Sequence, residues 1–276
     1  LHVCTNSVYH VQHAHPQLCS ATSANPNPTG GQGSSPLGST TADCSGLIWS
    51  WAVGMGDFVI PPEAGLRTGA SHISHVVLEI HYDNPSLDVG VVDSMGFEAF
   101  YINTPRANDA AMMIIGDPIV RLGTTSTAPY EVGNLPAGQT EVHRQVTCPG
   151  TCTKDFASTI NVFAHFYHMH NYGQKMYTEK YAATAPPTAG GGVSMGVVGS
   201  RIDFWDNGYQ QTVTAPYTIA PGETLQTHCW FNTASMSSPI TFGTPTSSEM
   251  CQDFIFYYPA QYRGVDSNGN AERFAM

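Results

Sequence analysis

Apolar and polar positions along this chain form short alternating or continuous apolar runs, the pattern of β-strands. The runs are rich in β-branched and aromatic residues, and Gly, Pro, Asn and Ser separate them, as in sandwiches and barrels. No long amphipathic helix is predicted. The chain is therefore predicted to be all-β. The predicted strands are HVVLEIHY, GFEAFYI, AAMMIIG, TINVFAHFYHMH, TLQTHCWF and DFIFYYP.

A break in this pattern at NTPRANDA divides the chain into two predicted domains. One strand-like run ends there in a Pro-containing turn, before AMMIIGDP begins the next. A chain of 276 residues has room for two domains with a core each. We place the boundary at Arg106, so that the domains span residues 1–106 and 107–276. Two segments rich in Gly and Pro, 20–43 and 185–192, are predicted surface loops.

The charge composition argues against nucleic acid and membrane partners. Charged residues make up 11% of the chain, against about 25% in typical domains. The net charge of −11 and the absence of any basic run argue against nucleic acid and anionic membranes. No apolar run approaches the roughly 18 residues of a membrane span. Because the chain begins at Leu1 without an initiator Met or a signal segment, we expect a piece of a longer precursor.

Seven cysteines are dispersed along the chain, which favours disulfides in an oxidising compartment over a zinc ribbon or a cytosolic redox motif. The chain is therefore predicted to be secreted. Because the number is odd, at least one cysteine has no partner within these residues. Cys148 and Cys152, in CPGTC, form the only close pair, and a bridge between them is one alternative.

Three histidines lie close together in FAHFYHMHNYG. On a strand, His168 and His170 share one face, while His165 and Met169 lie on the other. Two imidazoles on one face of a rigid strand can bind one metal ion. The alternative for an isolated His-x-His is the exposed polar face of a strand, so further ligands are needed.

Two residues elsewhere are candidate ligands. Met250 lies in SSEMC, directly before Cys251. A thioether is a soft ligand suited to Cu(I), although most methionines fill cores. His81 lies on the apolar run LEIHYDNP, where a lone histidine is more often structural.

Four stretches, LEIHYDNP, FYHMHNYG, THCWFNT and SSEMC, in this order and spacing, resemble the copper type II, ascorbate-dependent monooxygenases. That family includes the dopamine and tyramine β-hydroxylases and the peptidylglycine α-hydroxylating enzymes. The resemblance implies two jelly-roll-like antiparallel β-sandwich domains, each binding copper. It also implies hydroxylation of an activated C–H carbon of a small substrate with O₂, ascorbate as the reductant, and a secreted or secretory-vesicle location.

The resemblance further implies that His168, His170 and Met250 bind the catalytic copper. It implies that His81 is one of three histidines that bind an electron-transfer copper in the first domain. The disulfides that it implies are Cys229–Cys251 and Cys4–Cys44.

One departure concerns the electron-transfer copper. The family's other two ligands are an adjacent His-His pair, which by this resemblance would lie upstream of Leu1. The alternative is that the histidines of YHVQHAHP, at positions 10, 13 and 15, take their place. We read His165, His72 and His75 as structural or as supporting the ligands.

The substrate class follows from two positions. Peptide-amidating relatives hold a carboxylate with an Arg and a Tyr where this chain has Phe166 and Phe254. A hydrocarbon ring cannot pair with a carboxylate, which favours a phenylethylamine-like substrate. Glu79 and Glu249 lie beside ligands, but their role stays open. The alternatives are a secreted copper-binding sandwich without turnover, peptidylglycine α-hydroxylation and, more weakly, a zinc hydrolase.

Overall fold

The computed structural model of the chain describes residues 2–4, 11–20, 46–47, 49–68, 73–82, 86–92, 96–117, 134–184, 192–210, 212–243, 245–265 and 271–273. Within these ranges, the strands before residue 49, part of 73–82, residue 215 and residues 262–273 are described by their backbone alone. The disulfide predicted between Cys4 and Cys44 and the histidine at position 10 lie outside what is described. The same is true of the side chains of His72, His75 and His81.

The chain divides into two compact units. The first comprises Leu1–Asp109 together with Gly208–Thr212, and the second comprises Ala110–Asn207 and Val213–Met276. A short segment far along the chain is thus part of the first unit. The predicted domain ranges, 1–106 and 107–276, stay a prediction.

The first unit consists of short strands around one long antiparallel pair. Val11–Ser20 (β2) pairs along its length with Ile73–Tyr82 (β6), and it also pairs with two strands of two residues each. The remaining strands are His2–Cys4 (β1), Gly46–Leu47 (β3), Trp51–Ala52 (β4), Ala64–Gly65 (β5), Gly96–Glu98 (β7) and Asn108–Asp109 (β8).

The second unit contains two four-stranded antiparallel sheets. In order, one consists of Val142–Cys148 (β10), Thr224–Phe231 (β15), Gly173–Tyr181 (β12) and Ser194–Ile202 (β13). The other consists of Thr212–Ile219 (β14), Ile160–His168 (β11), Gln252–Tyr258 (β16) and Ala111–Gly116 (β9). A one-turn helix, Gly150–Thr153 (α1), follows β10, and a hairpin of Tyr262–Val265 (β17) and Ala271–Arg273 (β18) ends the described chain.

The two sheets enclose an apolar core. Buried and less buried positions alternate along β9 and β12, whereas β15 and β16 are buried along nearly their whole length. In β9, the side chains of Ala111, Met113 and Ile115 are buried, and those between them are less so. Met113 and Ile255 of one sheet belong to the same core cluster as Leu225 of the other. Such packing of two inner faces is that of a β-sandwich.

The all-β prediction is confirmed. The predicted run TLQTHCWF coincides with β15, DFIFYYP overlaps all of β16 except its first residue, and TINVFAHFYHMH contains β11, which ends at His168. Among the described residues, the structure has no helix long and apolar enough to cross a membrane.

Candidate metal centre

His168 and His170 lie together at the end of β11. The strand ends at His168, and His170 follows two residues later. Both side chains are buried, and their ring centroids are 5.2 Å apart with the ring planes nearly perpendicular, at 86°. Two imidazoles so close and so oriented can approach one ion from different directions.

A backbone hydrogen bond sets the tautomer of His170. Nδ1 lies 2.9 Å from the carbonyl oxygen of Ser248, which can only accept, so Nδ1 carries the proton and Nε2 carries the lone pair. Burial lowers the pKa of His170, against the opposing effect of the Ser248 carbonyl. The neutral imidazole with its orienting backbone bond is the form in which histidine binds metals.

The register of the sheet brings Met250 to the same end of it. His168 pairs with Gln252 in the antiparallel ladder of β11 and β16. If the same register is continued by two residues, His170 stands opposite Met250. The Met250 side chain is buried, and the next residue, Cys251, is disulfide-bonded to Cys229 of β15. The segment is thus attached to both sheets.

Glu249 connects the histidine segment to the methionine. One carboxylate oxygen accepts the backbone N–H of His170 at 2.9 Å and that of Met250 at 3.1 Å, and the other accepts the N–H of Tyr172 at 2.7 Å. The residue is fully buried. Burial raises the pKa of Glu249 to about 7, although the three backbone bonds act in the opposite direction.

Trp205 contacts both histidines of the candidate centre. Its indole Nε1 donates to the His170 carbonyl at 2.9 Å, and its ring lies edge-on to His168 with centroids 6.5 Å apart. Gly173 permits this approach, because a Cβ there would lie 2.8 Å from the Trp205 ring and 2.9 Å from Met169.

The donor set fits copper. No group of three His, Cys, Asp or Glu side chains in the described ranges is placed to hold a metal ion. The two imidazoles at His168 and His170 therefore need a thioether from Met250 to make a third protein ligand. Imidazole with thioether suits copper, whereas zinc sites use imidazole, thiolate and carboxylate.

A polar network lies in the sandwich core, on the other face of β11. His165 Nδ1 is 2.7 Å from Asp253 Oδ1, and both side chains are fully buried. The second Asp253 oxygen accepts the hydroxyl of Thr178 at 2.6 Å, and Thr178 in turn bonds Thr227 of β15 at 2.9 Å. The network links the two sheets, three residues before the first candidate ligand.

In the first unit, the described backbone places His13 directly opposite His81. The register of β2 and β6 makes them Cα partners and sets His15 opposite Glu79. Opposed residues of an antiparallel pair share one face of the ladder. The structure gives these residues register positions alone, so the ligand role predicted for His81 stays a prediction.

Phe166 and Phe254 are cross-strand neighbours in the second unit. They are partners in the register of β11 and β16, their rings are 5.3 Å apart, and both are buried. The ring of Phe166 is also 5.8 Å from that of His168. The surroundings of His168 on this face are therefore aromatic.

The second unit contains one disulfide and one pair of neighbouring thiols among its described residues. The Cys229–Cys251 disulfide implied by the resemblance is present. Cys148 and Cys152 are thiols in contact, so the bridge between them that was one alternative is not formed. A hydrogen bond to Cys152, together with burial, raises the pKa of the Cys148 thiol.

Sequence reasoning left the role of Glu249 open and did not single out Trp205. The signal for Glu249 was its place directly before Met250. Trp205 had none, because its contacts come from a loop 35 residues after His170.

Comparisons with known proteins agree with this picture. The C-terminal domain of the copper type II ascorbate-dependent monooxygenases matches residues 118–272, and their N-terminal domain matches residues 1–89. Tyramine beta-hydroxylase of Caenorhabditis briggsae is 32% identical over 79% of this chain and 34% of its own length.

Two further relatives show similar coverage. DBH-like monooxygenase protein 1 of Homo sapiens is 31% identical, and dopamine beta-hydroxylase of Equus caballus is 30% identical, each over 78% of this chain and 33% of the relative. The chain spans about a third of the length of these curated relatives. With both domains matched, the chain belongs to the copper type II ascorbate-dependent monooxygenases.

Proposed function

We propose that this chain is the catalytic part of a copper- and ascorbate-dependent monooxygenase that hydroxylates an activated carbon of a small, phenylethylamine-like molecule. The observation that carries the proposal is the buried grouping of His168 and His170, with the buried Met250 two residues before Gln252, the Cα partner of His168. Family membership supports the same reaction class.

Each residue of the proposed centre has a distinct task. His168 and His170 would hold the copper through neutral ring nitrogens, and the soft thioether of Met250 would favour its reduced state. When bound, copper supplies the redox chemistry that uses O₂ and the electrons of ascorbate. Glu249 fixes the relative positions of the His170 and Met250 backbones.

The surroundings favour an apolar part of the substrate beside the centre. Phe166 and Phe254 offer aromatic edges and no partner for a carboxylate. Together with the similarity to amine β-hydroxylases, this supports an aromatic amine over a peptide with a free carboxylate.

We extend the proposal to a second copper in the first unit, held by His81. His13 is the preferred second ligand among the three histidines of YHVQHAHP, because it is the Cα partner of His81. We also propose that the protein is secreted or lies in the lumen of secretory vesicles. The Cys229–Cys251 disulfide supports that location, since disulfides persist in oxidising compartments.

The test is ascorbate-dependent O₂ uptake by the copper-loaded chain, with and without tyramine. Uptake that rises with tyramine and is lost in His168→Ala is expected. Copper binding without substrate-dependent uptake would reject the enzyme in favour of a copper-binding sandwich. Loss of a second copper equivalent in both His81→Ala and His13→Ala would support the first site, and equal copper content in these variants and the wild type would reject it.

A further inference from the structure

A second group of histidine and carboxylate side chains lies on the outer face of the sheet that contains β12 and β15. The register pairs Tyr177 with His228 and Glu179 with Gln226. These residues therefore share one face, whereas the alternate residues Thr178 and Thr227 face the core. Nothing in the proposed monooxygenase reaction uses this outer face.

His228 has one ring nitrogen with a partner and one without. Its Nδ1 lies 3.0 Å from Nε2 of His143 on β10. Its Nε2 is buried, makes no hydrogen bond, and lies 3.8 Å from Oε2 of Glu179, beyond hydrogen-bond distance. The side chain is only 9% exposed. A buried polar nitrogen that points toward a carboxylate across such a gap requires an explanation.

Neighbouring aromatic rings hold the imidazole of His228 in place. The ring of Tyr177 is 5.0 Å from that of His228, and Trp230 stacks on His143 at 4.3 Å. Arg201 in turn lies over Tyr177 and Lys175 over Trp230, each at 4.7 Å. The orientation of His228 is therefore set before any ligand arrives.

Two hydrogen bonds hold the carboxylate of Glu179 in place. Oε1 accepts the hydroxyl of Ser194, and Oε2 accepts that of Tyr181 at 2.9 Å. The Ser194 bond is the largest cause that lowers the pKa of Glu179. Burial, followed by the effect of His143, lowers the pKa of His228. A neutral imidazole thus faces an ionised carboxylate.

We propose that Nε2 of His228 and Oε2 of Glu179 bind a divalent transition-metal ion of the zinc class. His143 would accept the Nδ1 proton of His228 and so present the Nε2 lone pair to the ion, the usual arrangement behind a metal-binding histidine. With metal–ligand distances of about 2.0–2.2 Å, a gap of 3.8 Å gives an angle of about 130° at the metal. A shift of a few tenths of an ångström makes it tetrahedral.

The site would be structural. Among the described residues, no third His, Cys, Asp or Glu completes it, so water takes the other positions. The ion would join β12 to β15 on the face away from the core. The next residue of β15, Cys229, holds Cys251 through the disulfide. The ion would thus stiffen the strand to which the Met250 segment is attached.

The test counts zinc. The copper-loaded chain is dialysed to equilibrium against Zn²⁺, and its zinc content is compared with that of His228→Asn and Glu179→Gln. We expect one more zinc per chain in the wild type than in either variant, and a zinc-dependent rise in Tm that both variants lose. Gln145→Ala is the matched control, since Gln145 is exposed and pairs with His228 in the register. It should retain the zinc.

Equal zinc content in the wild type and Glu179→Gln would overturn the proposal. That variant keeps the size of a half-buried side chain, so the comparison remains decisive even if His228→Asn fails to fold. The chains compared are identical at His168, His170 and Met250. Failure of copper binding there would leave the difference in zinc unchanged.

Discussion

The carboxylate of Glu249 accepts the backbone N–H of His170 at 2.9 Å. The same oxygen accepts the N–H of Met250, so one buried side chain joins the two backbone segments that present the candidate ligands. Buried carboxylates that accept several backbone bonds are strongly held, and removing the acceptor leaves several donors without a partner. The geometry of the proposed centre would therefore depend on a residue that is not one of its proposed ligands.

We expect Glu249→Gln to weaken both the fold and copper retention. The amide keeps one acceptor oxygen but turns an N–H₂ group toward backbone donors, at a cost of about 1–3 kcal/mol in the free energy of unfolding. Urea denaturation and dialysis of the reduced protein measure the two effects. Glu141→Gln is the matched control, because Glu141 is exposed and pairs with Lys175 at the surface, and it should change neither. Equal stability of both variants would show that the three bonds do not matter.

Loss of the Cys229–Cys251 disulfide should destabilise the second unit. The two cysteines are 22 residues apart, and closing such a loop in the unfolded chain is worth about 3 kcal/mol. The variant with alanine at both positions should unfold at a lower urea concentration than the wild type. A thiol reductant should lower the unfolding midpoint of the wild type more than that of the variant. A reductant effect of equal size on both would contradict this assignment.

Asp253→Ala should be among the most damaging substitutions in the core. It leaves His165 Nδ1 and the Thr178 hydroxyl without their acceptor inside the sandwich, which costs about 3–5 kcal/mol when one member of a buried pair is removed. Asp203→Ala, which removes an exposed partner of Arg201, should cost less than about 0.5 kcal/mol. Chemical denaturation of the two variants measures the difference in their free energies of unfolding. Equal losses would contradict the prediction.

Gly199→Ala should cost more than Gly196→Ala. Both glycines have positive φ, +71° and +90°, so both substitutions carry a backbone penalty of about 1–2 kcal/mol. Only at Gly199 would the new Cβ also meet another group, Nε2 of His165, at 2.8 Å. The difference in unfolding free energy between the two variants isolates that contact. No difference would mean that His165 moves aside freely.

The stability of the fold should decrease as the pH is lowered, partly because of His228. Burial lowers the pKa of both His143 and His228, so their folded values lie below the unfolded value of about 6.5. The unfolded chain therefore binds protons first, and the stability that these residues contribute is present above that pH and lost below it. In the presence of a chelator, His228→Asn should lose less stability than the wild type between about pH 7.5 and 5.5. If the unfolding free energy changed equally with pH in His228→Asn and in the wild type, the prediction would be wrong.

Local chemistry made part of this structure predictable. TLQTHCWF is strand β15 because its β-branched and aromatic residues suit a buried strand. SSEMC could be recognised because it stands with three other stretches in an order and spacing that resemble one family. The order of strands was not predictable, since β11 pairs with β14 and β16 and not with its neighbour in sequence, β12. For the same reason, the pairing of His143 with His228, 85 residues apart, left no trace in the sequence.

The central claim is that Met250 completes a copper centre with His168 and His170. X-ray absorption at the copper edge, on the chain reduced with ascorbate, tests it most directly. We predict copper–sulfur scattering in the wild type and in Met236→Leu, a control whose side chain packs against the apolar cluster that contains Cys251. In Met250→Leu, which keeps side-chain volume, the scattering should vanish and Cu(I) should be held less tightly. Unchanged copper–sulfur scattering in Met250→Leu would contradict the account.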